Sequence, residues 1–205
     1  MHRRMTCRRL ALAFALLLAA ACGDGPTLTH LPADAVILAF GDSLTYGTGA
    51  SEEDSYPAQL EGLVARRVVR AGVPGEVTAQ ALARLPAAIE EHAPRLLVLC
   101  IGGNDFLRRL GNAQTERNVR AMVKLARDRG IDVILLGTPE PGLTVTPPAF
   151  YRAIAEELGV HYEAGVIGEV LRDASLKSDP IHPNAKGYRI IAERVAASLR
   201  KGGAI

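Results

Sequence analysis

The chain has few cysteines, no lasting excess of charge of either sign, and no apolar run long enough to cross a bilayer. Its three cysteines, Cys7, Cys22 and Cys100, are widely separated, so no disulfide framework is expected. Cys100 lies in the apolar run Leu96 to Ile101 with no charged neighbour to lower its pKa. It reads as a small buried hydrophobe rather than a reactive thiol. The run Leu10 to Ala21 is about 12 residues, short of the ~20 that a spanning helix needs. Internal repeats and low-complexity tracts are lacking in the remainder. What is there is average: 48% hydrophobic and 22% charged over 205 residues. That composition suits one ordinary globular α/β domain and argues against disorder or a collagen-like repeat.

The N-terminus reads separately from the domain. Arg3, Arg4, Arg8 and Arg9 precede the apolar run, the pattern of an export signal over residues 1–21. Leu18-Ala19-Ala20-Ala21-Cys22-Gly23 resembles a bacterial lipobox, with Ala19 where leucine is usual. Cys22 is therefore a candidate lipid-attachment site and membrane anchor, ordinary cleavage with Cys22 as a bystander being the other reading. Residues 22–33 are expected to form a tether, and residues 34–205 the domain. Cleavage before Cys22 turns 24 basic against 22 acidic residues into 20 against 22, a net charge of −2. The apparent basicity belongs to the signal, so a nucleic-acid partner has no electrostatic footing. Export to the periplasm or envelope, or secretion, is the expected destination.

In the domain, continuous apolar runs at Val36–Phe40, Leu96–Ile101 and Val133–Leu136 each end in glycine or proline turn chemistry. Such runs predict strands buried on both faces. Helical patterns cover Tyr56–Val68, Thr78–His92, Thr115–Arg129, Pro148–Leu158 and Asn184–Arg200, with Pro86 predicting a kink or a late start in the second. The alternation predicts an α/β fold, a mostly parallel sheet between two helical layers. Ligands of such sheets bind beyond the strands' carboxyl ends. That places Gly41–Thr45, Gly102–Asp105 and Thr138–Glu140 along one edge.

Chemistry converges on the same segments. A serine hydroxyl needs a base to become a nucleophile, and a histidine held by a carboxylate is the usual solution. Of the four histidines outside the signal, His30 lies in the tether, His92 at a helix end and His161 in a short Val-His-Tyr segment that suits an edge strand. His182 differs. In Asp179-Pro180-Ile181-His182-Pro183-Asn184 a carboxylate precedes an imidazole by three residues on a proline-constrained turn. Asp179 can there fix the His182 tautomer, although the same residues also suit a helix start. Asn104, in Gly102-Gly103-Asn104-Asp105, is either an ordinary strand-ending turn residue or an amide donor for a developing oxyanion.

Phe40-Gly41-Asp42-Ser43-Leu44-Thr45, Ile101-Gly102-Gly103-Asn104-Asp105 and Asp179-Pro180-Ile181-His182-Pro183-Asn184 together resemble, in order and spacing, three sequence blocks of the SGNH hydrolases, also called GDSL esterases and lipases. The resemblance spans most of the domain. It implies a three-layer α/β/α sandwich with a flavodoxin-like sheet, and no cofactor or metal. It further implies Ser43 as nucleophile with Asp179 and His182, and Asp42 orienting the nucleophile loop. The oxyanion hole would be formed by Ser43, Gly75 and Asn104, with Gly72 the alternative to Gly75. Around the glycine block this sequence departs from the family pattern, with Arg70 where asparagine is frequent and Pro74 where serine is. No G-x-S-x-G elbow surrounds Ser43, which argues against the ordinary α/β-hydrolase arrangement.

The implied reaction is carboxylic-ester hydrolysis through an acyl-enzyme, on short- to medium-chain acyl esters, thioesters or lysophospholipids. Among family members the sequence is most similar to bacterial arylesterases, acyl-thioesterases and lysophospholipases. A carbohydrate O-acetylesterase shares the same catalytic set, and a catalytically silent envelope lipoprotein with a binding role is the alternative of another class. The segment Pro139–Pro148, with Leu143, reads either as a wall of the acyl pocket or as a plain connection.

Overall fold

A computed structural model describes residues 26–205 except residue 143. The expected export signal, Cys22 and Leu143 lie outside the described residues. Five strands, β1 (Val36–Gly41), β2 (Arg67–Gly72), β3 (Leu96–Cys100), β4 (Asp132–Leu136) and β5 (His161–Glu163), form one sheet in the order β2-β1-β3-β4-β5. Every neighbouring pair is parallel. The helices are α1 (Ser43–Tyr46), α2 (Tyr56–Val64), α3 (Thr78–His92), α4 (Gly103–Leu107), α5 (Asn112–Arg127), α6 (Ala149–Leu158), α7 (Val166–Arg172) and α8 (Ala185–Lys201), with a 3-10 turn at Ala174–Leu176.

The three central strands are apolar apart from Asp132 at the start of β4, because both of their faces are covered. Side chains alternate across a strand, so Ile37, Ala39, Val98, Cys100, Ile134 and Leu136 join one core with α2, α7 and α8. Leu38, Phe40, Leu97, Leu99, Val133 and Leu135 join the other with α3, α5 and α6. The result is a three-layer α/β/α sandwich. Cys100 is a fully buried member of the first core, and burial pushes its thiol pKa up.

Two expectations about the helices need correction. The helix expected over Tyr56–Val68 stops at Val64, where Ala65 takes a left-handed conformation, and Arg67–Gly72 pairs with β1 as an edge strand. The apolar spacing runs through the boundary, and pairing with β1 rather than local preference decides it. The helix containing Pro86 starts at Thr78, so the late start offered for it does not occur, and it continues past the proline to His92. Residues 26–33, expected in the tether, lie against the chain's other end. Leu28 and Leu31 are buried, and their N–H groups donate to Gly202 and Ala204 carbonyls, each at 2.8 Å.

The strand order places the site. From β1 the chain first builds outward to β2 and then crosses to β3 on the opposite side. The connections leaving β1 and β3 therefore diverge and open a crevice at their carboxyl ends, the usual ligand position in this topology.

Candidate active site

β1 ends where backbone must pass close to backbone. A Cβ at Gly41 would stand 1.8 Å from the Cys100 carbonyl oxygen, so only glycine fits. Asp42 then caps α1, its Oδ1 accepting from the Leu44 N–H at 3.1 Å. Ser43 is the first residue of α1 and borders a cleft of about 580 Å³.

Asp42 is 2% exposed. Burial pushes its carboxyl up to about 7; the Leu44 N–H acts against that shift, and the charges of Glu76 and Asp105 add to it. Asn104, near the start of α4, donates through Nδ2 to the Glu76 carbonyl at 3.1 Å and to Asp42 Oδ2 at 3.4 Å. Gly75, in the turn after β2, has φ +78°, a left-handed conformation that favours glycine. Its carbonyl accepts from Arg108 at 2.8 Å. Of the two candidate glycines, Gly75 borders the cleft with Ser43 and Asn104, whereas Gly72 is the last residue of β2.

The opposite wall comes from the loop before α8. His182 Nε2 lies 3.0 Å from Ser43 Oγ, and His182 Nδ1 lies 2.7 Å from Asp179 Oδ2. The other carboxylate oxygen accepts from the Ile181 and His182 backbone N–H groups, both at 2.9 Å. Partial burial raises the Asp179 pKa, but the ring and these two N–H groups outweigh it, and the net shift is downward. An ionised Asp179 that accepts the Nδ1 proton leaves Nε2 free to take one from Ser43. Asn184 ties the loop down. Its Nδ2 donates to the Ser175 and Lys177 carbonyls, and its Oδ1 caps α8 from the Lys186 and Gly187 N–H groups.

All the residues that sequence reasoning named for the chemistry (Asp42, Ser43, Gly75, Asn104, Asp179 and His182) meet here. Pro139, Pro141, Gly142 and Val145 from the segment after β4 also line the cleft. Sequence reasoning missed Arg84 and Glu76, whose ion pair lies behind the Gly75 turn, and Leu171 of α7, which faces the cleft. Glu76 adjoins a named glycine, but nothing in the pattern of α3 marks Arg84 off from its other exposed-face residues. Among the described residues, the large apolar side chains left exposed are Tyr46, Val73, Leu107, Leu110 and Ile181. All five follow strand carboxyl ends or sit on the His182 loop, and Leu107 and Ile181 line the cleft. No group of three or more His, Cys, Asp or Glu side chains among the described residues is disposed to hold a metal ion.

Comparison with known proteins adds independent findings. The model of the GDSL-like lipase/acylhydrolase family matches residues 39–190, a span that contains the whole site. Esterase TesA of Pseudomonas aeruginosa is 37% identical over 130 residues, covering 61% of this chain and 65% of that protein, just under two thirds of its length. An Escherichia coli (strain K12) protein named "Thioesterase 1/protease 1/lysophospholipase L1" is 31% identical over 172 residues, covering 80% of this chain and 83% of that protein. A crystal structure of TesA matches with a TM-score of 0.71 at 29% identity, over 82% of this chain and 99% of that one. With the family model spanning most of the domain and a relative of this identity matched across four fifths of its sequence, the chain belongs to the GDSL-like lipase/acylhydrolase family.

Proposed function

We propose that the chain hydrolyses acyl esters through a covalent acyl-enzyme on Ser43. The observation that carries the reading is the unbroken hydrogen-bond sequence from Ser43 Oγ through His182 to Asp179, with Ser43 and His182 both bordering an apolar-lined cleft. Ser43 Oγ attacks the acyl carbonyl carbon as His182 Nε2 takes the hydroxyl proton, and Asp179 stabilises the resulting imidazolium. The carbonyl oxygen becomes an oxyanion within reach of the Ser43 and Gly75 N–H groups and the Asn104 amide. Collapse breaks the ester C–O bond, and His182 returns its proton to the leaving alcohol. Water then gives a proton to His182 while its oxygen attacks the acyl carbon; collapse breaks the bond from Ser43 Oγ to the acyl carbon, His182 returns the proton to Ser43 Oγ, and the acid leaves. Asp42, bonded to the Leu44 N–H, orients the nucleophile turn.

Leu44, Pro74, Leu107, Val145, Leu171 and Ile181 line the cleft. Such walls favour an acyl chain over a sugar, because polar hydroxyls would lose hydration there without finding partners. The class we propose is short- to medium-chain acyl esters, with thioesters and lysophospholipids as further members. The names of the E. coli relative and of an arylesterase of Vibrio mimicus, 28% identical, support that breadth. Export with Cys22 as the lipid-bearing residue completes the reading, and the mass of the mature N-terminus tests it. For the reaction, Ser43→Ala is expected to remove turnover of a short-chain p-nitrophenyl ester and fluorophosphonate labelling while leaving the melting temperature unchanged. Wild-type turnover in that variant would overturn the assignment. A panel of acyl esters of rising chain length beside acetylated glycans would define the substrate range.

A further inference from the structure

The Gly75 turn is tied to the rest of the site by the Val73 N–H, which donates to the Gly41 carbonyl at 3.0 Å, by Arg108 on the Gly75 carbonyl, and by Glu76. The Glu76 backbone carbonyl accepts from Asn104 Nδ2, and its carboxylate, 6% exposed, faces Arg84 of α3. Arg84 Nε donates to Glu76 Oε1 at 2.8 Å and Nη2 to Glu76 Oε2 at 2.7 Å, a two-pronged fork. The same Nη2 also reaches the Ala71 carbonyl at 3.2 Å and the Gly41 carbonyl at 3.4 Å. The guanidinium lies over the Phe40 ring, 4.0 Å from its centroid. One rigid planar cation thus joins the end of β1 two residues before Ser43, the end of β2, and the residue after Gly75. A guanidinium suits this place because its fork and flat face are used together, which an ammonium cannot match.

We infer that Arg84 and Glu76 are a positioning pair that sets the geometry of the oxyanion hole. The inference rests on the proposed ester-hydrolase reading. Glu76 holds Asn104 by its carbonyl and follows Gly75 directly in the chain, so a shift of Glu76 moves two of the three oxyanion donors at once. Arg84 prevents that shift by tying Glu76 to the strand end that carries Ser43. Neither side chain touches substrate. Their effect falls on the transition state, where donor placement matters most.

The test uses Arg84→Met/Glu76→Gln, which leaves no unpaired buried charge, and Arg84→Lys, which keeps the cation but loses the fork. Active sites are titrated with a fluorophosphonate, so that kcat is counted per reactive serine and loss of folded protein does not enter. The double variant is expected to lose ~10²-fold in kcat with KM within about three-fold of wild type, and Arg84→Lys about ten-fold. Binding of a trifluoromethyl ketone carrying the same acyl chain, which forms a tetrahedral adduct on Ser43, should weaken in parallel with kcat. A pair that only stabilises the fold would lower the melting temperature and the titratable fraction while leaving kcat per site and ketone affinity unchanged. That result overturns the inference, and Arg84→Lys decides it should the double variant not fold. Wild-type protein with neither turnover nor labelling overturns the underlying reading as well, and is told apart by failing before any variant is compared.

Discussion

The two sides of the cleft are held by contacts of different kinds. Ser43, Gly75 and Asn104 stand beyond the ends of β1, β2 and β3, backed by Asp42 and Glu76, which are 2% and 6% exposed. The contacts among them run between segments far apart in the chain, such as Asn104 to Glu76 and Arg84 to Gly41. His182 and Asp179 instead stand on a loop with no strand beneath it, and the Asp179 side chain is 44% exposed. Apart from the reach of His182 to Ser43 and that of Gln59 Nε2 to the Ala185 carbonyl, the contacts that shape this arm are mostly local, linking residues 175–187 to one another. The oxyanion side is therefore an extension of the core, and the base side a surface device attached to it. Damage to the first should disturb chemistry and stability together, whereas damage to the second should spare the fold.

The largest expected effect is on the base side. His182→Ala should lower kcat for a short-chain ester by ~10⁴-fold, since an unassisted serine hydroxyl is a poor nucleophile. Its stability cost should stay within about 1–2 kcal/mol, because the imidazole, 14% exposed, gives up only its hydrogen bonds to Asp179 and Ser43 and little apolar packing. Thermal unfolding beside steady-state kinetics reads both quantities. A large loss of stability would break the contrast between the two sides, and a kcat loss under about ten-fold would remove His182 from the base role.

This contrast also explains what could be read from the amino-acid sequence. The central strands declare themselves because burial on both faces requires uninterrupted runs such as Leu96–Ile101, and α2, α3, α5, α6 and α8 follow from spacing, whereas α7, at seven residues, is too short to show a period and was not legible. Asp179 and His182 were legible because their pairing is local, three residues apart on a turn constrained by Pro180 and Pro183. β2 was not, since a half-exposed edge strand has no continuous run and its Val68 and Val69 extend the helical spacing of Tyr56–Val64. Gly75 could be told from Gly72 only by family resemblance, because the choice depends on where β2 ends. Arg84 had no signal at all: a helix-face arginine is ordinary in sequence, and only the packing of α3 against β1 brings it over Phe40 and onto Glu76.

The second effect concerns the core-backed side. Asp42 titrates in the folded protein at about 7, whereas an unfolded chain releases that proton near pH ~4. Between those values the folded state holds a proton that the unfolded state has lost, so stability declines as pH rises through the window. The full contribution is present below the unfolded pKa and gone above the folded one, on the order of a few kcal/mol. Asp42→Asn keeps the side-chain oxygen that accepts from Leu44 and cannot ionise, so this part of the pH dependence should flatten. Urea unfolding at intervals from pH 4.5 to 8 measures it. An unchanged slope in the variant would mean that other groups carry the dependence.

The smallest expected effect tests how the surface arm is fastened. Asn184 is the one residue of the loop that serves both structures, holding the Ser175 and Lys177 carbonyls with its amide nitrogen and the first turn of α8 with its oxygen. Asn184→Ala removes a helix cap, at a cost of ~1 kcal/mol. Asn184→Asp keeps the cap oxygen but loses the amide donor, so it should restore most of the stability and not the loop. The loop carries the imidazole, whose distance from Ser43 depends on it. Both variants should therefore show reduced kcat, and only the alanine variant a lowered melting temperature. Equal kcat in Asn184→Asp and wild type would show that the Asp179 and Ser178 contacts fix the arm without the Asn184 amide, leaving the Asn184 side chain a helix cap and nothing more.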